Sequence, residues 1–401
     1  MVTLICIMFL PSLYFICKWL GWLQDSPFPK PQVEDRKTIS IPEPVYFTNG
    51  DRPADLESFQ GNDKAKKIIK IILESCAKTG EPFPNILFQG NAGTGKTTLA
   101  RLIAQYLKVH IIEITGSSIK SQMDFLMIIN KIWDLQAAGY KCLLFIDELH
   151  GIVKGKDLNL DNWLPFFEEY RFYHSMKGKK FKVWENGKEV QYMFTDNIAA
   201  IKPLPIIGAT TYPGLLDDAI RRRFRVIIPL EDYTLDDIQA IIQSYCKKHD
   251  ILYNNDAVEY LASHSRANPS LAINNLKTCK DVMTWRNNNI LGLWLAREAI
   301  EMLGLYEEGL RIDDIKVLQA LAMQPKGMGL PNLAGATGVS RDTLEAIVSP
   351  YLQKLGFLII THKRFITQDG LDYLNKINKL PKKRENMPFC ANNIGQSVIM
   401  L

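Results

Sequence analysis

The nine residues GNAGTGKTT, Gly90 to Thr98, constrain this chain more than any other stretch. Gly90, Gly93 and Gly95 let the backbone turn tightly and aim its N–H groups at one point, an arrangement that holds phosphate oxygens. The stretch fits G-x-x-x-x-G-K-[ST] through Gly90, Gly95, Lys96 and Thr97. NILFQ before it has strand character, and TTLARLIAQYL after it has helical periodicity. A strand, a glycine loop and a helix in that order call for a parallel sheet with crossover helices, so the expected fold class is α/β. A chance glycine-rich turn with an exposed lysine lacks that context.

From Arg52 to Pro229 the pattern continues: HIIEI, CLLFIDE and PIIGATT are further apolar runs set between helical stretches, expected as buried parallel strands. Arg171 to Val190, RFYHSMKGKKFKVWENGKEV, is basic and aromatic with Gly-containing turns and predicts a projecting hairpin. Thr234 is placed to N-cap LDDIQAIIQSYCKKH, which opens a helical region reaching about Met302. From Asp313 to about Lys379 the sequence predicts two short helices around a glycine turn (Leu333 to Gly338), a third helix over Arg341 to Leu355, and a β-hairpin. That order is a winged helix-turn-helix. The expected division is a large α/β domain over 50–232, a small all-α domain over 233–305, a winged helix over 310–379 and a loose tail over 380–401.

The start of the chain reads differently. Val2 to Leu23 is apolar apart from Lys18, about the 20 residues a membrane helix needs, with Trp19 and Trp22 suited to an interface and Pro11 to a kink. A membrane anchor, a buried helix and a start codon placed too early all stay open; a secretory signal fits less well, because no basic run precedes the apolar stretch. Residues 24–49 hold five prolines and read as an extended linker. A net charge of +5 is only mildly basic, so nucleic-acid binding has to be shown by a local site. Seven cysteines with no C-x-x-C pair suggest reduced thiols and a cytoplasmic location.

The residues define candidate chemistry. Lys96 is placed to neutralise charge between the β and γ phosphates of a nucleotide, and Thr97 to ligate Mg²⁺. CLLFIDE ends in Asp147, suited to hold Mg²⁺ through water, and Glu148, suited to polarise the water that attacks the γ-phosphate. An isolated Asp-Glu pair usually caps a helix; paired with the upstream glycine loop, it favours hydrolysis. PIIGATT ends in Thr210 and Thr211, either of which can hydrogen-bond the γ-phosphate or the water. AIRRRF, Ala219 to Phe224, is placed for an arginine finger acting on a neighbouring subunit, which requires an oligomer.

Taken in order, these motifs resemble AAA+ ATPases and, more narrowly, the RuvB family of bacterial motors for Holliday-junction branch migration. The resemblance runs from about Arg52 to Leu374 and rests on RPADLESFQGN, GNAGTGKTTLA, LLFIDELH, FFEEY, IGATT, RRRF with PLEDY, RANP, GLPNLAGATGVSRDTLE and PYLQKLGFL. It implies ATP and Mg²⁺ as cofactors, a hexameric ring, duplex or four-way junction DNA as substrate, and a role in recombination and repair. It places Arg52 and Glu168, Glu169 and Tyr170 near the nucleotide, gives Lys96, Thr97 and Thr98 to phosphate and Mg²⁺, and gives Asp147 and Glu148 to hydrolysis. Thr211 becomes the first sensor, Arg223 the finger acting in trans, and Arg221 and Tyr233 further nucleotide neighbours. Arg341 falls on a DNA-contacting arginine, and the 171–190 hairpin lies where the family docks its junction-binding partner, RuvA, though here it is longer and more basic.

Several positions depart from the family. Where it reads T-P-R, with Arg as second sensor, this chain has Asn268, Pro269 and Ser270; Arg266 matches another family arginine that helps only if its loop shifts. Two wing arginines fall on Ile360 and Phe365, with Lys363 and Arg364 between them available to phosphate. The family's DEIHR is DELHG here, ending in Gly151. Two readings stand beside the motor: a nucleotide-switched DNA-binding or scaffold protein with weak turnover, and a clamp or helicase loader.

Overall fold

Five strands form a parallel sheet: β1 (Ile86–Gln89), β2 (His110–Thr115), β3 (Cys142–Asp147), β4 (Ile206–Thr210) and β5 (Val226–Pro229). Their order is β5-β1-β4-β3-β2. A computed structural model of the chain describes residues 32–33, 52–154, 160–175, 177, 180–185, 188–193 and 197–381. The four apolar runs expected as parallel strands are β1 to β4. Covered on both faces, β1, β3 and β4 bury nearly every side chain: Ile86, Leu87 and Phe88 in β1, Leu143 to Ile146 in β3, and Ile206 to Thr210 in β4, while the edge strand β2 buries Ile112. Sequence reading passed over β5. Its four residues, VIIP, hold three β-branched side chains between an arginine run and PLEDY, and only pairing with β1, Val226 opposite Ile86, shows it as a strand.

The chain divides into two compact units, Met1–Tyr233 and Thr234–Leu401. In the first, helix α1 (Asp63–Thr79) precedes β1, α2 (Lys96–Leu107) follows the glycine loop, and α3 (Gln122–Ala137) and α4 (Leu160–Glu169) flank β3 in sequence. Phe125 of α3 packs against Trp163 and Phe166 of α4 and against Phe172, with ring centroids 4.2, 4.8 and 4.8 Å apart. Each ring is buried, a gain on the order of 2 to 3 kcal/mol apiece. Phe172 belongs to a base strand, Arg171–Tyr173, paired antiparallel with Ile198–Ala200. Above that base Lys180–Glu185 and Lys188–Met193 form an antiparallel hairpin, and Gln32–Val33 pairs with the second of these strands. The expected hairpin is present, but its base closes at Ala200 rather than ending at Val190, because the returning strand lies beyond the turn-rich stretch.

The second unit begins at Thr234. Thr234 caps helix α5 (Leu235–Lys248) in a capping box with Asp237, each side chain meeting the other's backbone N–H. Helices α6 (Asn255–Ser263), α7 (Pro269–Trp285) and α8 (Leu293–Met302) complete a helical bundle. Helix α9 (Ile312–Ala322), helix α10 (Leu330–Thr337), a helical run over 341–354 and the strands β6 (Leu358–Ile360) and β7 (Arg364–Ile366) make the winged helix. One detail differs from expectation. Leu333 to Thr337 are helical, and only Gly338, at φ 72°, turns the chain. The cause is buried Leu333, which anchors that segment in the wing core as part of a helix.

The candidate membrane segment at 2–23, most of the 24–49 linker and the tail beyond Pro381 lie outside the described residues. Among the described residues, no helix is long and apolar enough to cross a membrane.

Candidate nucleotide site and nucleic-acid interface

The C-terminal ends of β1, β4 and β3 are neighbours, with Gln89 opposite Thr210 and Ile146 opposite Gly208. Parallel α/β sheets bind ligands at this edge. The glycine loop leaves β1 at Gly90, whose N–H donates to Thr210 O at 3.2 Å, and starts α2. Gly93 turns the exposed crest of the loop at φ 86°, the left-handed region that its residue type allows. Gly95 caps the helix at φ 93°, and no side chain satisfies the cap, so its first N–H groups point out of the helix. Only glycine fits at 95: a Cβ there would meet the Phe59 ring at 2.7 Å and the Tyr233 hydroxyl at 2.8 Å. The PLEDY segment clamps the loop from outside. The Leu230 N–H donates to Gln89 O at 2.7 Å, the Asn91 amide to Asp232 Oδ1 at 2.8 Å, and the Tyr233 hydroxyl to Thr94 O at 3.3 Å. Tyr233, expected beside the nucleotide, is buried and supports the loop that would hold it.

Lys96 Nζ donates to Gly90 O at 2.8 Å and Asn91 O at 2.7 Å, which seats the ammonium inside the loop. Burial pulls its pKa below the ordinary lysine value, opposed by the charges of Asp147 and Glu148. Thr97 Oγ1 lies 3.4 Å from Asp147 Oδ2, and Thr98 follows it half-buried on α2. Burial foremost, and then the Glu148 charge, raises the Asp147 pKa, against the Glu148 N–H, Lys96 and Thr97. A cation between Thr97 and Asp147 would favour the ionised carboxylate. These hard oxygen donors are few, which suits Mg²⁺, an ion that keeps several waters and takes one or two protein ligands plus phosphate.

Glu148 occupies the left-handed region at φ 48°, with its N–H donated to Asp147 Oδ1 at 2.9 Å. Its side chain meets Thr211, whose hydroxyl donates to Glu148 Oε2 at 2.9 Å. The two threonines differ in what they touch. Thr210 is fully buried and accepts from the Tyr212 N–H at 3.1 Å, while Thr211 reaches the acid. The same turn explains Gly151. Its N–H donates to Glu148 O, and a Cβ there would meet Ser117 N at 2.6 Å.

The remaining expected nucleotide neighbours have partners of their own. Arg52 lies in the field of Arg101 and Glu113, which pair with each other at 2.5 and 2.6 Å, and burial holds its pKa below the usual arginine value. Arg223 forms an ion pair with Glu168 at 3.0 Å, both partly exposed. Arg221 donates to Pro213 O at 2.5 Å and pairs with Asp218 at 3.3 Å. Glu169 faces Arg171 at 3.4 Å, and Tyr170, at φ 57°, packs on the aromatic core, its N–H donated to Phe166 O. Glu168 and Glu169 are exposed, and partly exposed Arg223 pairs with the first of them.

In the second unit Ser270 is exposed in the first turn of α7, where its N–H donates to Asn268 Oδ1 at 2.9 Å. Arg266 is not available as a nucleotide sensor. Its Nε donates to Gly309 O at 2.7 Å, its Nη2 pairs with buried Asp314, and its guanidinium lies 4.4 Å over the Tyr351 ring. Arg341 is exposed just after Ser340, whose hydroxyl caps the helical run by accepting from the Thr343 N–H. Lys363 is half-exposed in the wing turn. Arg364, expected to touch phosphate, is instead 8% exposed and donates to Ser349 Oγ at 3.0 Å. Its side chain is the buried one of the three in β7.

Sequence reading missed His150, which stands between Thr210 and Glu148, and the Asn91–Asp232 bond. The sequence signals for His150 are its place two residues after an acidic strand end and the histidine that the family motif DEIHR has at the same position.

A glycine loop with a buried lysine, an acid pair one strand away and a threonine-ended strand between them define a P-loop ATPase of the AAA+ type. Residues 51–230 match the family model for the Holliday junction DNA helicase RuvB P-loop domain, and residues 307–375 the RuvB C-terminal winged helix domain. The RuvB subunit of the Holliday junction branch migration complex of Mycoplasmopsis pulmonis is 30% identical over 81% of this chain and 98% of its own length. That of Thermotoga maritima is 31% identical over 80% of this chain and 91% of its own. The solved Thermotoga maritima RuvB motor superposes with a TM-score of 0.66 at 28% identity, covering 81% of this chain and 98% of that one. This chain belongs to the RuvB family.

Proposed function

We propose that the chain is the ATP-driven motor of a branch-migration complex acting on Holliday junctions, the activity its relatives' names carry. The observation that supports this best is the convergence of Lys96, Asp147, Glu148 and Thr211 at one sheet edge, in a chain that also has a winged helix presenting Arg341. Lys96 exchanges its two loop carbonyls for β and γ phosphate oxygens, and the outward N–H groups at the start of α2 hold the same phosphates. Thr97 and Asp147 would hold Mg²⁺, which would offset phosphate charge. Glu148 accepts the proton of the attacking water, and Thr211 orients the acid. Arg223 leaves Glu168 to stabilise the γ-phosphate of an adjacent subunit, so the sites work only in a ring, taken as a hexamer. The 171–190 hairpin docks a RuvA-like junction-binding partner, and the setting is the cytoplasm.

The winged helix grips duplex DNA through phosphate, a sequence-independent and salt-sensitive contact. Arg341→Ala is expected to weaken duplex binding equally across sequences and to reduce the slope of log affinity against log salt by about one. Titrating two unrelated duplexes at several salt concentrations checks it; a loss confined to one sequence would show base readout instead. The function itself is tested by ATP-dependent migration of a synthetic four-way junction, with junction-stimulated ATP turnover measured alongside. A protein that turns over ATP yet moves no junction in the presence of a RuvA-like partner overturns the motor reading.

One observation favours the slower, nucleotide-switched reading. Ser270 has no cationic group, and Arg266 is held by Asp314 and Gly309, so neither supplies a second-sensor charge. Turnover close to that of Glu148→Gln would establish the switch.

A further inference from the structure

The turn that carries Glu148 holds an ionisable side chain that the hydrolytic reading leaves unused. His150 lies on the short helix Leu149–Lys154, 12% exposed at its side chain, with its ring edge-on to Tyr212 at 5.2 Å between centroids. Its Nδ1 stands 3.0 Å from Thr210 Oγ1 and 3.3 Å from Glu148 Oε2. The ordinary reading of such a residue is a histidine that merely satisfies its own ring nitrogens in a core. Two features argue otherwise: one of its neighbours is the carboxylate that takes the water's proton, and the other is a buried hydroxyl fixed by the Tyr212 N–H at the end of the neighbouring strand.

We propose that His150 is a positioning residue for Glu148, holding one carboxylate oxygen so that the other faces the attacking water. The proposal rests on the hydrolytic role of Glu148 given above. A carboxylate oxygen at 3.3 Å favours the tautomer with the proton on Nδ1, since the opposite tautomer would set a lone pair against a negative charge. In that form Nδ1–H is donated to Thr210 Oγ1 at 3.0 Å and lies beside Glu148 Oε2 at 3.3 Å. The Thr211 hydroxyl donates to the same Oε2 at 2.9 Å. Both restraints thus fall on Oε2, and Oε1 is the oxygen that accepts the proton of the water. The backbone gives little independent guidance, because Glu148 sits in the left-handed region, where a non-glycine residue is held by its surroundings. His150 also ties the acid to the C-terminal end of β4, between the glycine-loop strand and the acid's own strand.

The test compares His150→Ala with His150→Asn in the full chain, reading kcat and KM for ATP, nucleotide affinity and thermal midpoint. Asparagine places an amide donor near the position of Nδ1, and alanine places none. His150→Ala is expected to lower kcat about ten- to a hundredfold, the range for losing a hydrogen bond to a charged group, with KM and nucleotide affinity within about twofold. His150→Asn is expected to recover most of that loss. Glu148→Gln serves as the reference for a lost base. If the wild type turns over ATP and Glu148→Gln does not, but His150→Ala matches the wild type, the positioning role is wrong and the role of Glu148 stands. If both His150 variants lose activity equally and melt earlier, the histidine is only structural and the proposal falls. If Glu148→Gln turns over like the wild type, the hydrolytic reading and this proposal fall together.

Discussion

Glu148→Gln should reduce ATP turnover by about 10²- to 10⁴-fold, the range for losing a general base, while nucleotide affinity stays within about threefold of the wild type. The substitution changes almost nothing but basicity. The amide oxygen still accepts from the Thr211 hydroxyl, so the turn at the end of β3 keeps its contact, and Lys96 and Asp147 are untouched. What is lost is the ability to take a proton from water. Steady-state turnover and equilibrium binding of a fluorescent ATP analogue separate the two effects. A variant with near-normal turnover would show that another group activates the water, and a variant that no longer binds would show that Glu148 holds the loop together.

The second large effect concerns stability. Arg266→Ala or Asp314→Ala should each destabilise the second unit by about 3 to 5 kcal/mol, because either leaves a buried charge without its partner. Arg266 and Asp314 are 9% and 1% exposed at their side chains, and the carboxylate also accepts from the Arg311 N–H at 2.6 Å. This pair joins the loop after α6 to helix α9, so it fastens the helical bundle to the winged helix within one unit. Arg266 and Ala267 both have positive φ, so the loop conformation depends on the contacts that hold it. The double substitution Arg266→Met with Asp314→Leu should recover most of the loss, since a buried pair replaced by apolar groups of similar volume is often neutral. Urea unfolding of the full chain, followed by far-UV circular dichroism, reads all three. Lys64→Ala is the control: its pair with Glu231 is 88% and 72% exposed, and its loss should be barely measurable. Single substitutions at Arg266 or Asp314 that behave like Lys64→Ala would show that the pair does not fasten the unit.

The parts legible in the sequence share a physical origin, which is local. The glycine loop, its flanking strand and helix, the Asp147–Glu148 strand end and the Thr234 cap are each specified within about ten residues by glycine placement, apolar period and cap chemistry. β5 escaped notice because VIIP is too short to carry a period of its own and becomes a strand only by pairing with β1, some 140 residues earlier, Val226 opposite Ile86. The hairpin was visible, but its closing strand at Ile198–Ala200 was not, for the same reason.

Arginines separate the two sources of information most clearly. As letters, Arg223, Arg266, Arg341 and Arg364 were all candidates to meet phosphate. The sequence by itself determined that there is a phosphate loop, an acid pair downstream, a threonine-ended strand and a winged helix, because backbone geometry and periodicity write those into neighbouring residues. Only the tertiary structure decided the rest: that β4 lies between the loop strand and the acid strand, that Thr211 rather than Thr210 reaches Glu148, that His150 does so too, that Arg266 is held by Asp314 and Arg364 by Ser349, and that Arg341 remains exposed. A long side chain takes its partner from whichever segment the core packs against it, and Asp314 is 48 residues from Arg266. No local pattern encodes that choice; burial of the surrounding apolar side chains makes it.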